Sequence, residues 1–275
     1  MFSLERREEM ETITKITKDK GQFYLIWLSS GEKLRVSEDT LVRQRLLKGQ
    51  EVTEAMIEQI KKAGSYDVGL QMSLNYLSYQ LRSTKEILDY LKEKEILPED
   101  RKKIVIRLEE MNLLDDKSYS ESFVRTMMRT SDKGPKMIEQ QLKRKGLKDE
   151  DIQYGLTFYL IEEQVEVAKA AAEKAMRRYR TKSFKDALQK VQLHLMQKGF
   201  NREVIDLAFE ELAFEKDEEQ ELEVIRKEGD RLWEKHRKLD SYKRLMKVKQ
   251  GLFQKQFDPD MIQQYFEEKE IENEE

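Results

Sequence analysis

The residues that could support catalysis are few, and their surroundings do not favour it. Asp115 and Asp116 are adjacent carboxylates, a pattern that can hold Mg²⁺ or share a proton. They stand just before a helical segment that carries Tyr119 and Phe123. An N-cap, where the helix dipole stabilises negative charge, explains them better than a catalytic pair. A hydrolase built on these two acids stays open only as the weakest alternative, because no nucleophile–base pair accompanies them.

Other residue types that usually support chemistry are missing or isolated. The chain has no cysteine, so it has neither a disulfide framework nor a thiolate metal site. Its two histidines, His194 and His236, do not belong to an H-E-x-x-H motif, and we expect both on helix surfaces or boundaries. Neither Gly-rich phosphate-binding pattern, G-x-x-x-x-G-K-[ST] or G-x-G-x-x-G, occurs. We therefore expect no enzyme activity, no cofactor and no bound metal.

Clusters of arginine and lysine are the remaining candidates for binding. The net charge of the chain is -3, so any face that binds nucleic acid must be local. Two clusters have few acidic neighbours, and the alternatives for them are solvated helix faces or contact with phosphates or an acidic protein surface. A third, from Lys243 to Lys249, is best explained by solvated faces with ion pairs. The candidate binding residues are Arg125, Arg129, Lys133, Lys136, Lys143, Arg144 and Lys145 in the first cluster, and Arg177, Arg178, Arg180 and Lys182 in the second.

A short motif recurs four times and predicts a tandem repeat. It has the form Leu-x-x-Lys-x-apolar, and its final apolar positions are spaced by 51, 53 and 57 residues. In two copies Gly146 and Gly199 stand where the C-terminus of a helix needs a left-handed residue. The pattern predicts a mostly α fold of tandem three-helix repeats forming an elongated curved array; the alternative is four unrelated helix pairs that coincide by chance. The four copies begin at Leu91, Leu142, Leu195 and Leu252, contain Lys94, Lys145, Lys198 and Lys255, and end at Ile96, Leu147, Phe200 and Phe257.

The first repeat carries the clearest helix signals. Ser83 and Glu86 form a capping-box pattern at the start of its second helix, and Pro98 suits the first turn of the third. Apolar residues spaced by three and four positions define the faces that these helices should bury. The expected buried positions are Leu70, Leu74, Leu77 and Leu81 in the first helix, and Ile104, Leu108 and Met111 in the third.

The N-terminal part differs from the rest and predicts a small three-stranded β-meander. Strands are expected at residues 12–17, Phe23–Leu28 and 33–36, separated by Gly-containing turns. Phe23, Leu25 and Trp27 share one face of the middle strand. A sheet this small needs a covering helix, and the residues that could supply one are Leu41, Val42, Leu46 and Leu47.

Composition and length set the expected domain organisation. Hydrophobic residues are 38% of the chain and charged residues 39%, which favours thin helical modules over one thick core. No stretch approaches the length of a membrane span and no signal peptide precedes the first strand, so we expect a cytoplasmic protein. The expected domains are 1–64 (β-meander with covering helices), and three-helix repeats 1 to 4 at 65–112, 113–163, 164–216 and 217–275, the last with an acidic tail.

The central repeat resembles the signature of the RecX family of recombinase regulators. The resemblance is closest over residues 66–160 and weaker over residues 165–270. The β-meander and the fourth repeat resemble the longer form found in Gram-positive bacteria. The residues that carry it are Leu113, Leu114, Asp115, Asp116, Tyr119, Phe123, Val124 and Arg125, then Lys133, Gly134, Pro135 and Lys136, then Leu142, Lys145 and Gly146.

The resemblance implies a cytoplasmic negative regulator of the recombinase RecA. Family members lie in the groove of the RecA–single-stranded DNA filament, where they inhibit ATP hydrolysis, strand exchange and filament growth. We therefore expect the RecA filament and its single-stranded DNA as partners, no membrane contact and a monomer. The family motif covers Arg125, Lys133, Lys136 and Lys145 most directly, and the other candidates follow from charge and spacing. The alternative function is a stand-alone DNA-binding helical repeat protein.

Overall fold

The N-terminal strands pair into an antiparallel sheet with one more strand than the sequence predicts. The computed structural model describes residues 10–19, 21 and 23–274. Three strands, β1 (Met10–Lys18), β2 (Phe23–Leu28) and β3 (Lys33–Ser37), form the expected meander. A fourth, β4 (Glu51–Thr53), pairs with the free edge of β1, so the strand order is β3-β2-β1-β4. The sequence did not predict β4, because its three residues are too few to show the alternating apolar pattern of a strand.

One long helix, and not the short one that follows β3, covers the sheet. Helix α1 (Glu38–Arg43) has six residues and cannot bury the whole predicted set: Val42 is 65% and Leu47 68% exposed. Leu46 is buried, but the covering residues include Ile57 of α2 (Glu54–Leu77). The buried face of the sheet carries Ile13, Ile26, Leu28, Leu34 and Val36, whereas Leu25 and Trp27 lie on the other face and remain partly exposed.

Helix α2 also provides the first helix of the first repeat. It is continuous across residues 64 and 65, where we predicted a domain boundary. It ends at Leu77, so Leu81 is 59% exposed and the prediction that it belongs to the buried stripe is wrong. The next helix begins soon afterwards, and its N-cap Ser83 has an extended backbone, so one helix cannot continue through both segments.

The remaining helices follow the predicted order, three to each repeat. Repeat 1 continues with α3 (Thr84–Glu93) and α4 (Pro98–Glu110). The capping box of Ser83 and Glu86 is confirmed, and so is Pro98 in the first turn of α4. Met111 lies just after α4 and is 39% exposed, so its predicted burial is wrong. The later repeats consist of α5 (Asp116–Thr130), α6 (Pro135–Arg144) and α7 (Asp149–Leu156); α8 (Ile161–Tyr179), α9 (Phe184–Gln197) and α10 (Arg202–Leu212); and α11 (Glu218–Lys235), α12 (Ser241–Gln254) and α13 (Pro259–Glu274).

The recurring motif marks the end of the second helix in each repeat. Its four leucines are completely buried, and its final apolar residues are at most 6% exposed. Between the lysine and that final residue, the backbone turns through a positive φ in every copy. Two of these turns use the predicted glycines, and the others strain a side chain that rarely adopts this conformation. The turn residues are Glu95, Gly146, Gly199 and Gln256, with φ values of 58°, 82°, 92° and 65°.

The described chain divides into two compact units that do not follow the repeats. One holds the sheet, the helices up to Ser120 and the segment Leu142–Ile152. The other holds Glu121–Gln141 and the described residues from Gln153 onward. No helix in the part of the chain that the structure describes is both long and apolar enough to cross a membrane.

Candidate partner-binding residues and the joints between repeats

The repeated lysine lies at a joint between successive repeats. At each joint, the N-terminus of the second helix of one repeat donates a hydrogen bond to the carbonyl oxygen of the motif lysine in the next. At the first joint the Ser83 hydroxyl donates to Lys145 over 2.7 Å. At the second the Gly134 amide donates to Lys198 over 2.8 Å. At the third the Ser183 hydroxyl donates to Lys255 over 2.6 Å. The same kind of hydrogen bond therefore joins each repeat to the next.

The ammonium groups of these lysines are held by acids, which belong to the preceding repeat for Lys145 and Lys198 and to the same repeat for Lys255. Nζ of Lys145 is 2.8 Å from Oε1 of Glu86, Nζ of Lys198 is 2.7 Å from Oδ2 of Asp132, and Nζ of Lys255 is 2.9 Å from Oε1 of Glu228. These lysines are half-buried, and partial loss of hydration makes an acidic partner favourable. The motif lysine of repeats 2 to 4 thus belongs to the packing of the protein.

The first joint shows how its charges balance. Burial acts to raise the pKa of Glu86, but hydrogen bonds from Lys145 and from the Ser83 amide outweigh it, so this pKa lies below its ordinary value. Burial acts to lower the pKa of Lys145, yet contacts with Glu86 and Tyr119 raise it overall. Both groups therefore stay ionised at neutral pH. The positive charge of Lys145, which we expected to contact a partner, is directed to Glu86.

The acidic pair is divided between two structural roles. The Asp115 carboxylate accepts hydrogen bonds from the amides of Lys117 and Ser118, at 3.0 and 3.3 Å, as predicted for an N-cap of α5. Asp116 instead accepts from the amide of Thr84, over 2.8 Å, at the N-terminus of α3. Burial raises the pKa of Asp116. No group of three or more metal-ligating side chains is found within the described residues.

A similar carboxylate lies at the third joint but not at the second. Glu221 accepts a hydrogen bond from the amide of Phe184 over 2.9 Å, and burial raises its pKa. At the second joint the equivalent first residue of the helix is Pro135, which has no amide hydrogen to donate. This joint relies instead on close backbone contact: a Cβ built on Gly134 would lie 2.5 Å from the carbonyl carbon of Gly199.

The first basic cluster is divided between the two compact units. Lys143, Arg144 and Lys145 belong to the unit with the sheet, and Nζ of Lys143 lies 3.3 Å from Oδ1 of Asp149. Arg144 is exposed and its carbonyl accepts a hydrogen bond from Lys85. The other members of the cluster, in the second unit, are Arg125, Arg129, Lys133 and Lys136.

Within the second unit, these four cations differ in how far they are engaged. Arg125 lies 2.9 Å from Glu121 and 4.5 Å from the ring centroid of Phe158. Arg129 and Lys136 are exposed, Lys133 is half-buried, and none of these three has an ion pair with any described residue. The Tyr159 hydroxyl fixes the backbone at Lys133 by donating to its carbonyl.

The second basic cluster is exposed at the end of α8. Arg177 lies 3.9 Å from Glu173, whereas Arg178, Arg180 and Lys182 have no ion pair among the described residues. Burial lowers the pKa of His194, and the positive charges of Lys198 and Arg178 lower it further. The two clusters therefore both have cations near the second joint.

One cation that the sequence reading missed belongs to the same region. The positive charge of Lys174 helps to lower the pKa of Asp132, although the hydrogen bond from Lys198 contributes most. Lys174 is exposed and lies one helical turn before Arg178. This i, i+4 spacing was the signal that could have identified it.

Comparison with known proteins gives one consistent family. Models of RecX domains match the chain in order: the first three-helix domain at residues 70–108, the second at 115–156, and the third twice, at 162–209 and 218–266. The regulatory protein RecX of Enterococcus faecalis is 70% identical over 266 residues, which cover 97% of this chain and 100% of that protein. The regulatory protein RecX of Bacillus subtilis is 35% identical over 263 residues, covering 95% of this chain and 100% of that protein.

Solved structures agree with this assignment. A crystal structure of regulatory protein RecX has a TM-score of 0.58 and 38% identity, covering 73% of this chain and 99% of that chain. A crystal structure of RecX from Lactobacillus salivarius has a TM-score of 0.52 and 40% identity, covering 54% of this chain and 97% of that chain. The expectation of a regulator and not an enzyme agrees with the description of these relatives as regulatory proteins.

Proposed function

The chain belongs to the RecX family, and on that premise we propose that it is a negative regulator of the recombinase RecA. It binds in the groove of the filament that RecA forms on single-stranded DNA. There it inhibits ATP hydrolysis, strand exchange and filament growth. It acts in the cytoplasm and as a monomer.

The observation that carries this proposal is the set of unpaired cations in the second unit. Ion pairs engage several of the predicted binding residues and the motif lysines of repeats 2 to 4. Side chains that remain without an acidic partner among the described residues are available for phosphates or for acidic side chains. Among the residues that the sequence predicts for binding, these are Arg129, Lys133, Lys136, Arg178, Arg180 and Lys182.

Lys145 and Lys143 are weaker candidates within the same proposal. Lys145 is engaged with Glu86, and Lys143 lies near Asp149. Arg125 can both contact Glu121 and present part of its guanidinium to a partner, since its side chain is 47% exposed. We therefore keep Arg125, Arg144 and Arg177 as peripheral contacts and place the centre of the binding face on the six unpaired cations.

A RecA ATPase assay driven by single-stranded DNA tests the function. Substoichiometric to stoichiometric amounts of the intact protein are expected to reduce the rate of ATP hydrolysis. The triple variant Arg178→Gln, Arg180→Gln, Lys182→Gln should require about tenfold more protein for the same inhibition, because several charge contacts are lost together. The matched control, Lys243→Gln, Lys247→Gln, Lys249→Gln, removes the same charge from repeat 4 and should inhibit like the unchanged protein. An unchanged ATPase rate at stoichiometric protein would contradict the proposal.

The second candidate is a stand-alone DNA-binding protein, and the same unpaired cations favour it. It requires tight binding to DNA without RecA, with an affinity that falls steeply as salt rises. Fluorescence anisotropy of a labelled oligonucleotide at low and physiological salt measures this directly. Weak binding at physiological salt, together with inhibition of RecA, would remove this candidate and leave the first.

A further inference from the structure

The face of the sheet opposite the one that packs against Ile57 and Ile60 of α2 carries an aromatic ring between two lysines. In the antiparallel register Trp27 of β2 is opposite Lys15 of β1 on one side and Lys33 of β3 on the other. Nζ of Lys33 lies 4.1 Å, and Nζ of Lys15 5.9 Å, from the centroid of the Trp27 ring. Three neighbouring strands thus present a continuous row of cation, ring and cation.

A β-bulge creates this row. Ile13 is opposite Leu28 and faces the buried side, but the register shifts before Lys15, which is opposite Trp27. Strict alternation from Ile13 would direct residue 15 toward the buried side of the sheet. The extra residue places Lys15 beside the ring and lets Ile16 face Ile26. Bulges commonly redirect a side chain in this way.

No acid among the described residues engages the two lysines. Both are exposed, and neither has an ion pair with any residue that the structure describes. The neighbouring cation in the next row, Arg35, differs, because its Nε lies 2.8 Å from Oδ2 of Asp19. The positive charge of this face is therefore concentrated on either side of Trp27.

We propose that this face is a binding site for single-stranded nucleic acid. An unpaired base stacks on the ring of Trp27, and Lys15 and Lys33 move from the ring to the flanking phosphates. Sequence-independent single-strand sites combine these two elements, an aromatic platform and cations that follow the backbone. Charge complementarity selects a polyanion, and the partly exposed ring of Trp27 selects one with unpaired bases, since the bases of a duplex are already stacked on one another. This site needs no RecA and is separate from the cations of the proposed function.

Tryptophan fluorescence tests the site directly. The chain has two tryptophans, so Trp233→Phe leaves Trp27 as the only one. Oligothymidylate should quench the emission of Trp27. A duplex of the same length and an inorganic polyphosphate of equal charge should leave most of this emission unquenched. The double variant Lys15→Gln, Lys33→Gln should weaken the quenching titration by about tenfold, through the loss of two phosphate contacts. The matched control Lys62→Gln, on α2, should titrate like its parent.

Each outcome decides the proposal. Absence of quenching at oligonucleotide concentrations that saturate a labelled-oligonucleotide binding assay would overturn it, and would place DNA binding elsewhere on the chain. Equal quenching by polyphosphate or duplex would also overturn it, by reducing the site to a general polyanion contact. If circular dichroism shows that Trp233→Phe does not fold, the difference in quenching between the unchanged protein and Trp27→Phe gives the same readout. Because RecA is absent, failure here leaves the RecA proposal standing, and failure of the ATPase assay leaves this one standing.

Discussion

Ser83 and Lys145, which are 62 residues apart in sequence, are joined by a 2.7 Å hydrogen bond from a side-chain hydroxyl to a backbone carbonyl. The same hydroxyl accepts a hydrogen bond from the amide of Glu86 and so caps α3. One serine therefore begins a helix and attaches the next repeat to it. Ser183 repeats both contacts, with Asp186 and Lys255.

This double role predicts a measurable loss of stability. Ser83→Ala or Ser183→Ala removes both the cap and the joint contact, and each should lower the free energy of unfolding by about 2 kcal/mol. Urea unfolding followed by far-UV circular dichroism measures the change. Ser241→Ala, at the exposed first position of α12, is the matched control and should change it by less than about 0.5 kcal/mol. Equal effects at Ser83 and Ser241 would show that neither the cap nor the joint contact contributes to stability.

Two lysines of the first basic cluster should separate stability from partner binding. Lys145→Gln removes the partner of Glu86 and should lower the free energy of unfolding by about 1 kcal/mol, since both side chains are largely shielded from solvent. Inhibition of RecA by the folded variant should be unchanged. Lys136 is exposed and has no ion pair among the described residues. Lys136→Gln should therefore leave the free energy of unfolding unchanged and weaken the inhibition of RecA. Loss of RecA inhibition by a folded Lys145→Gln protein would return this residue to the binding face.

The second joint predicts a dependence of stability on pH. The hydrogen bond from Lys198 holds the pKa of Asp132 below its ordinary value of 3.8. A carboxyl whose pKa is lower in the folded state adds stability above its unfolded pKa and loses it as the pH falls through the folded pKa. Asp132→Asn should therefore be less stable than the unchanged protein at pH 6, and the difference should shrink at pH 3. Urea unfolding at the two values checks this, and a difference that grows on acidification would contradict it.

The two facing glycines of the second joint predict a large effect from one methyl group. Gly134→Ala would place its Cβ 2.5 Å from a backbone carbon of Gly199. The nearest atoms are all backbone atoms, so the clash cannot be relieved by rotation of a side chain. We expect a loss of about 3 kcal/mol or more, measured by thermal or urea unfolding. Gly49→Ala is the control: its φ is positive, at 86°, unlike that of Gly134, but its Cβ would meet no atom within 4 Å. It should lose only the backbone penalty, about 1 kcal/mol. A similar loss for both variants would show that the close approach is unimportant.

The sequence predicted what depends on local periodicity. The leucines and final apolar residues of the repeat, such as Leu142 and Leu147, are buried as expected, because regular spacing reports one face of a helix directly. The capping box at Ser83 is equally local. The predicted burial of Leu81 was wrong because the spacing of apolar residues continues beyond the end of α2. The predicted covering role of Val42 was wrong because α1 is too short to bury it.

Contacts between distant residues could not be predicted in the same way. The lysine at position 145 follows the repeat as regularly as the leucine at 142, but nothing local shows that its ammonium reaches Glu86. Charge alone therefore predicted a binding role for both Lys145 and Lys136, although Lys145 is half-buried and Lys136 is exposed. The β-bulge that brings Lys15 to Trp27 is also invisible in the pattern, because it depends on the pairing of two strands.

The joints imply how the chain could have lengthened. Each joint takes its donor from one repeat and its acceptor from the next, so a copy added after the last repeat needs no change in the earlier ones. Repeats 3 and 4 match the same domain model, and their second helices, α9 and α12, both have 14 residues against 10 in α3 and α6. The fourth repeat thus resembles the third in its domain model and in the length of its second helix, as expected if a unit that carries its own connector had been copied.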